Sequence, residues 1–318
     1  MRPTDMSTDS AAVVLRGVTR RFGTVTAVRD VNLTVAMGEI FGLVGPDGAG
    51  KTTILRMLAG VLEPDTGEIQ LDGVDVCAAP EQAKLRLSYM PQRFGLYEDM
   101  TVAENILFYA TLFGVPASQR RIRSKELLSA AGLDSFCHRL AGQLSGGMKQ
   151  KLGLVCALIH TPSVLLLDEP TTGVDPVSRR DFWSILYRLR ESGVTIFLST
   201  AYMDEAERCS RLAPLHQGRV RACDTPAQLK AMMRGSLLAI AGGDPRALRD
   251  ALVGGPGVLG LLLMGDRVHV RVDDATRRIP DLRAWLDGRG VTSDSIVSIT
   301  PGIEDVFIAL LSAGGSFP

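Results

Sequence analysis

From Val13 to Val35 apolar and polar residues alternate on either side of Phe22-Gly23, a period of two that predicts an antiparallel hairpin at the edge of a domain. The next apolar stretches do not alternate. Glu39–Gly45 (EIFGLVG), the run starting at Ser163 (SVLLLDEP) and the run starting at Gly193 (GVTIFLST) are short and continuous, as expected of strands buried on both faces. Helical periodicity takes over between them, in TTILRMLAGVL after the first run and in Ser178–Glu191 between the other two. The stretch from about Arg93 to Gln143 is mostly helical in pattern, with amphipathic pieces at Val102–Phe113 and Gln119–Ala131. Two-sided strands separated by helices predict an α/β fold with a parallel core sheet and an antiparallel edge.

Beyond Gly235 the composition shifts toward Gly and Pro and the order of elements changes. Strands at 237–241, 258–264, 267–272 and 295–300, with helices at 245–253 and 280–287, give βαββαβ, a small α+β ferredoxin-like unit. A last helix, Ile303–Leu311, has an apolar face of Ile303, Val306, Phe307 and Leu310 and is expected to dock on a domain. The expected organisation is a disordered start over 1–12, an α/β domain over 13–235 with a helical subdomain at about 93–160, and the accessory unit over 236–318.

Composition removes several classes of function. Lys plus Arg and Asp plus Glu each number 35 in 318 residues, so no overall basic field points to nucleic acid. Met1–Ser10 lacks the charged-then-apolar pattern of a signal peptide. The longest apolar stretch, Ala251–Met264, is broken by glycines and Pro256 and is too short to cross a bilayer. Cys77, Cys137, Cys156, Cys209 and Cys223 are odd in number and form no CxxC pair, so they read as reduced thiols of a cytoplasmic protein. His269 stands alone in an alternating strand and reads as an exposed strand residue.

The chemistry lies between the first buried strand and its helix. Gly45-Pro46-Asp47-Gly48-Ala49-Gly50-Lys51-Thr52 fits G-x-x-x-x-G-K-[ST], with a strand before it and a helix after it. Glycines let successive N–H groups turn inward around a phosphate, and the helix N-terminus adds partial positive charge. Lys51 would reach the β and γ phosphates, and Thr52 could ligate magnesium. In VLLLDEP, Asp168 ends a buried strand and would hold magnesium through water, while Glu169 could polarise an attacking water. Adjacent carboxylates at a strand end are often only a turn; beside a phosphate loop they favour catalysis. Leu144–Gln150 (LSGGMKQ) precedes an apolar helix and puts Ser145, Gly146 and Gly147 at its N-terminus, a second anion site. One nucleotide needs only one phosphate loop, so this second site makes most sense if it caps a nucleotide held by another chain.

With these segments in this order, the chain resembles the ATP-binding cassette of ABC transporters over Val13 to about Gly235, and LSGG matches the family signature. The resemblance implies ATP and Mg2+ as ligands, with Gly45–Thr53 as the Walker A loop, Thr53 included. Val164–Glu169 would then be Walker B and its catalytic glutamate. Gln92, in YMPQRFGLYEDMTV, matches the loop that senses magnesium and contacts the membrane subunit; Lys51, Gln92 and Glu169 would act in catalysis, and Thr52, Gln92 and Asp168 around the metal. Asp175 matches the loop crossing the dimer interface, and Phe22 the aromatic that stacks on adenine. Implied partners are transmembrane permease subunits and a second cassette, on the cytoplasmic face of the membrane. GPDGAGKTT, LSGGMKQKL, STAYMDEAE and ITPGIEDVFIALL are most similar to bacterial drug-exporter ATPases, in particular the amino-terminal half of those with two cassettes in tandem. Asp47 replaces a commoner Asn and puts an extra acidic group near phosphate.

One position departs from the family more sharply. A histidine that contacts the γ-phosphate is expected two residues after Leu198-Ser199, where this chain has Ala201. Tyr202 is one position on and is expected to point elsewhere, and none of the four histidines lies between Thr195 and Glu207. Losing a donor aimed at transition-state charge costs about 10²- to 10³-fold in rate. The expectation is an ATPase of an exporter whose own Walker site is slow, paired with a complete cassette that this chain's signature would cap. The alternatives are a harmless substitution with Glu169 sufficient, an idle regulatory cassette, or a soluble cassette protein acting on ribosomes or DNA.

Overall fold

The computed structural model describes residues 11–93 and 95–312. Of the expected disordered start, residues 1–10 lie outside the described residues, and Ala11 and Ala12 already belong to the first strand. By its internal contacts the chain forms two compact units, Met1–Cys223 and Asp224–Pro318.

In the first unit, β1 (Ala11–Phe22) and β2 (Val25–Ala36) form the hairpin, paired from Ala11 opposite Ala36 to Phe22 opposite Val25 with four register shifts between. After β3 (Ile40–Val44) and α1 (Lys51–Leu58), β4 (Thr66–Leu71) and β5 (Val74–Asp75) return to that hairpin, giving an antiparallel sheet in the order β2-β1-β4-β5. Then come α2 (Pro80–Arg86), β6 (Leu87–Met90), and three helices, α3 (Val102–Leu112), α4 (Ala117–Ala131) and α5 (Gly146–Leu158). The unit ends with β7 (Val164–Asp168), α6 (Pro176–Glu191), β8 (Thr195–Thr200), α7 (Met203–Ala206), β9 (Arg211–His216) and β10 (Arg219–Val220). Its second sheet has the order β10-β9-β3-β8-β7-β6, parallel throughout except for the β10-β9 pair.

The continuous apolar runs have a simple cause: every residue of β3, β7 and β8 is buried. Helix α1 lies between the two sheets. Its Ile54, Leu55, Met57 and Leu58 join Val13, Leu15 and Val28 of the hairpin and Leu43, Leu166 and Phe197 of the parallel strands in one cluster. Each such side chain contributes about 1.5–3 kcal/mol by leaving water, so the loop that starts α1 is anchored from both sides.

The second unit holds α8 (Pro226–Ala231), β11 (Ser236–Ala241), α9 (Pro245–Leu252), β12 (Val258–Met264), β13 (Arg267–Val272), α10 (Ala275–Asp287), β14 (Ser295–Ile299) and α11 (Ile303–Ser312). Its sheet order is β12-β13-β11-β14, with every neighbouring pair antiparallel. Leu238, Ile240, Val268 and Val270 pack under Leu248, Leu252, Leu282 and Leu286 of α9 and α10. Helix α8, which precedes the boundary expected at 235, belongs here and packs against α11.

Two expectations are corrected in this unit. Helix α10 starts at Ala275 rather than at Pro280, because the Asp274 side chain accepts from the Arg277 N–H at 2.9 Å and caps an earlier turn, leaving Pro280 inside the helix. His269 is not a solitary exposed residue: its Nδ1 lies 2.7 Å from Asp305 Oδ1 of α11, and both side chains are largely buried. Among the described residues all five cysteines are free thiols, and no helix is long and apolar enough to cross a membrane.

Candidate active site

Strand β3 ends at Val44 and the chain turns through Gly45–Gly50 into α1. Gly50 has φ +110°, and a Cβ there would stand 2.4 Å from the Ala27 carbonyl oxygen, so both conformation and space demand glycine. The first helical residue is Lys51. Its Nζ donates to the Gly45 carbonyl at 2.7 Å and the Pro46 carbonyl at 3.1 Å, and lies 2.9 Å from Glu169 Oε1. This ammonium is buried inside the loop, with the Glu169 carboxylate as its one anionic partner among the described residues.

The parallel sheet brings β7 close to that loop. Asp168 Oδ1 accepts from Thr52 Oγ1 at 3.1 Å and from Ser199 Oγ at 2.6 Å, and Oδ2 accepts from the Tyr89 hydroxyl at 3.3 Å. Burial and the Asp168 charge push the Tyr89 phenol up to about 12, so it remains a donor at neutral pH. Glu169 leaves the strand in the left-handed region, φ +47°, with its N–H held by the Ser199 carbonyl at 3.1 Å and the Ser199 hydroxyl at 3.0 Å. For a non-glycine residue this conformation costs roughly 1–2 kcal/mol, and it accompanies a carboxylate that meets Lys51. Gln92 Nε2 donates to Glu169 Oε2 at 3.3 Å.

Asp47, Gly48, Ala49, Gly50, Lys51, Thr52, Thr53, Gln92 and Glu169, with Ala27 of β2, line one open cavity of about 360 Å³. Asp168 lies directly behind it through Thr52. The Thr52 hydroxyl and the Asp168 carboxylate are hard oxygen donors beside a phosphate loop, a donor set that would fit Mg2+. Sequence reasoning did not find Tyr89, Ser199 and Ala27; the one signal for Ser199 was the polar pair Ser199-Thr200 closing a buried run.

Gly45 and Pro46, whose carbonyls hold Lys51, do not line this cavity, and three further sets of expected residues lie outside it. Phe22 sits at the end of β1, 48% exposed, with the Arg20 guanidinium 5.1 Å from its ring centroid. Ser145 caps α5 through the Met148 N–H at 3.3 Å, and Gly146 faces open space. Gly147 is pressed against α6, where a Cβ would come within 2.4 Å of Ser178. Asp175 caps α6 by accepting from the N–H groups of Val177 and Ser178 at 3.1 and 2.9 Å; the Ser178 bond holds its carboxyl below the ordinary value. Ala201 is exposed and follows Thr200, whose carbonyl accepts from the Gly45 N–H at 3.2 Å. The Tyr202 ring lies under the Arg179 guanidinium, 4.4 Å away.

A parallel sheet with a phosphate loop at the carboxyl end of one strand and an acidic pair at the end of another defines a P-loop nucleotide-binding protein. Residues 28–172 match the family described as ABC transporter. The chain is 41% identical over 314 residues to the Escherichia coli K12 protein named "Probable multidrug ABC transporter ATP-binding protein YbhF", covering 97% of this chain and 53% of that one. It therefore spans about half the length of that relative. It is 40% identical over 302 residues to the Nod factor export ATP-binding protein I of Paraburkholderia xenovorans, covering 94% of this chain and 97% of that one. The dimeric structure of MJ0796, a bacterial ABC transporter cassette, superposes with a TM-score of 0.62 at 26% identity, covering 67% of this chain and 98% of that one. The chain belongs to the ABC transporter ATP-binding family.

Proposed function

We propose that this chain is the ATP-hydrolysing subunit of an exporter, acting on the cytoplasmic face of a membrane with transmembrane permease subunits and a second cassette. The observation that carries the reading is the convergence of Lys51, Thr52, Gln92 and Glu169 on one cavity, with Asp168 behind it. The inward N–H groups of the loop and Lys51 bind the β and γ phosphates of ATP. Glu169 polarises the attacking water, and Gln92, already bonded to Glu169, reports the occupant of the site to the surface that follows it. Thr52 and Asp168 would hold Mg2+, and the chemistry the ion would supply there is charge neutralisation of the phosphates.

Ser145, Gly146 and Gly147 are outside the cavity, which fits a site completed by the signature of a partner cassette. Two nucleotides held between two cassettes favour the closed dimer, and hydrolysis releases it. Ala201 has no donor for the γ-phosphate, so hydrolysis on this chain's own Walker residues is slow. Pairing with a complete cassette then gives one slow and one fast site. The name of one relative suggests drug-like cargo and that of the other Nod factor, and the cargo pocket belongs to the permease.

The test is ATP hydrolysis by the purified chain with Mg2+, compared with Glu169→Gln and Lys51→Ala. Loss of turnover of about 100-fold or more in both variants is expected; unchanged turnover in Glu169→Gln would remove Glu169 from the chemistry. Purification from its native membranes should bring down a membrane subunit, whereas bound RNA or DNA without one would replace export with a soluble function.

A further inference from the structure

Glu205 is buried in the first unit, away from the cavity, and nothing in the proposed chemistry uses it. Its Oε1 accepts from the Thr171 hydroxyl and from Trp183 Nε1 at 3.3 Å, and its Oε2 accepts from the Thr200 hydroxyl at 2.7 Å. Arg179 Nε stands 4.0 Å away. A buried carboxylate that accepts three side-chain hydrogen bonds is strongly localised, because it and its partners would be unsatisfied if it moved.

The partners belong to three segments: the loop that follows Glu169, the end of β8 and α6. Thr171 is two residues beyond Glu169, in the loop that leads to Asp175. Thr200 immediately precedes Ala201, its hydroxyl also accepts from the Tyr202 N–H at 3.0 Å, and its carbonyl holds the Gly45 N–H. The chain on both sides of residue 201 is thus fixed to one carboxylate, and so is the loop leaving Glu169. Trp183 and Arg179 tie the same carboxylate to α6.

We infer that Glu205 is a positioning residue for hydrolysis: it sets residue 201 and Glu169 in register with each other beside the phosphate loop, without touching nucleotide itself. The inference rests on the proposed ATPase reading of the site. Glu205 bonds neither Lys51 nor a loop amide directly and reaches the loop only through the Thr200 carbonyl on the Gly45 N–H, so its removal acts on the rate far more than on ATP capture.

The experiment compares the parent chain with Glu205→Gln and Thr171→Val, measuring nucleotide affinity and single-turnover hydrolysis with protein in excess. Both variants, and both again with Ala201→His, are checked for folding by circular dichroism. The expected result is a rate at least tenfold lower with an ATP Kd within about twofold of the parent, and no gain from Ala201→His in either background. Thr171→Val removes a single arm and keeps the test decisive should Glu205→Gln fail to fold. A folded variant with the parent rate, a Kd that weakens in step with the rate, or an undiminished gain from histidine would each overturn the inference. If histidine gains nothing in the parent chain, the residue-201 reading fails by itself, and the separation of rate from affinity still decides the role of Glu205.

Discussion

Lys51 and Glu169 form an ion pair, so a phosphate that takes Lys51 competes with a carboxylate for the lysine. At 2.9 Å and an effective dielectric of about 20, the Coulomb attraction is roughly 6 kcal/mol. Desolvation of both groups offsets most of it, because Lys51 is 4% and Glu169 12% exposed, leaving a net contribution of about 1–2 kcal/mol. Glu169→Gln keeps the shape and removes the competing charge. The expected consequence is a nucleotide affinity about 5- to 30-fold higher, the equivalent of 1–2 kcal/mol. Calorimetric titration of both proteins with a non-hydrolysable ATP analogue and Mg2+ reads this without interference from turnover. The nucleotide-free variant should also melt earlier and gain more from the analogue, since its buried ammonium has lost its partner. Equal or weaker affinity in Glu169→Gln would refute the competition.

Gly147→Ala should destabilise the fold by about 1–3 kcal/mol through the clash with Ser178, whereas Gly146→Ala, facing open space, should leave the melting temperature unchanged; denaturant titrations of the pair separate them. Thr52→Val should abolish Mg2+-dependent hydrolysis, because the methyl cannot replace the hydroxyl beside Asp168, and Mg2+ titration of the rate reads the loss. Asp175→Ala should lower the melting temperature by a few degrees at pH 7, measured by calorimetry. The Asp175 carboxyl is held below its ordinary value by the Ser178 bond, so its contribution is present above about pH 4 and the difference should vanish as pH falls further.

The phosphate loop and the acidic pair were legible because their chemistry is local: eight consecutive residues make the cradle and two make the carboxylate end of β7. What holds them was not legible. Tyr89 and Ser199 reach Asp168 from strands 79 and 31 residues away in sequence, and only the sheet order makes them neighbours. Glu205 looked like one charge among several in MDEAE, yet it alone of that group turns inward to the hydroxyls of Thr171 and Thr200. Helix starts moved where a side-chain cap extended the helix beyond its apolar periodicity, at Asp175 and at Asp274. Strands β4, β5, β6, β9 and β10 escaped notice: β5, β6 and β10 are only two to four residues long, and half of β4 is exposed and carries too few apolar residues to show a period.

The most direct test of a slow Walker site is the single-turnover rate of ATP hydrolysis by the purified chain and by Ala201→His, at matched nucleotide occupancy. If residue 201 limits the chemistry, histidine raises the rate tenfold or more with little change in ATP affinity. Equal, robust rates in the two proteins would mean that Glu169 carries hydrolysis without that contact, and a dimer of two identical working sites would replace the asymmetric pair.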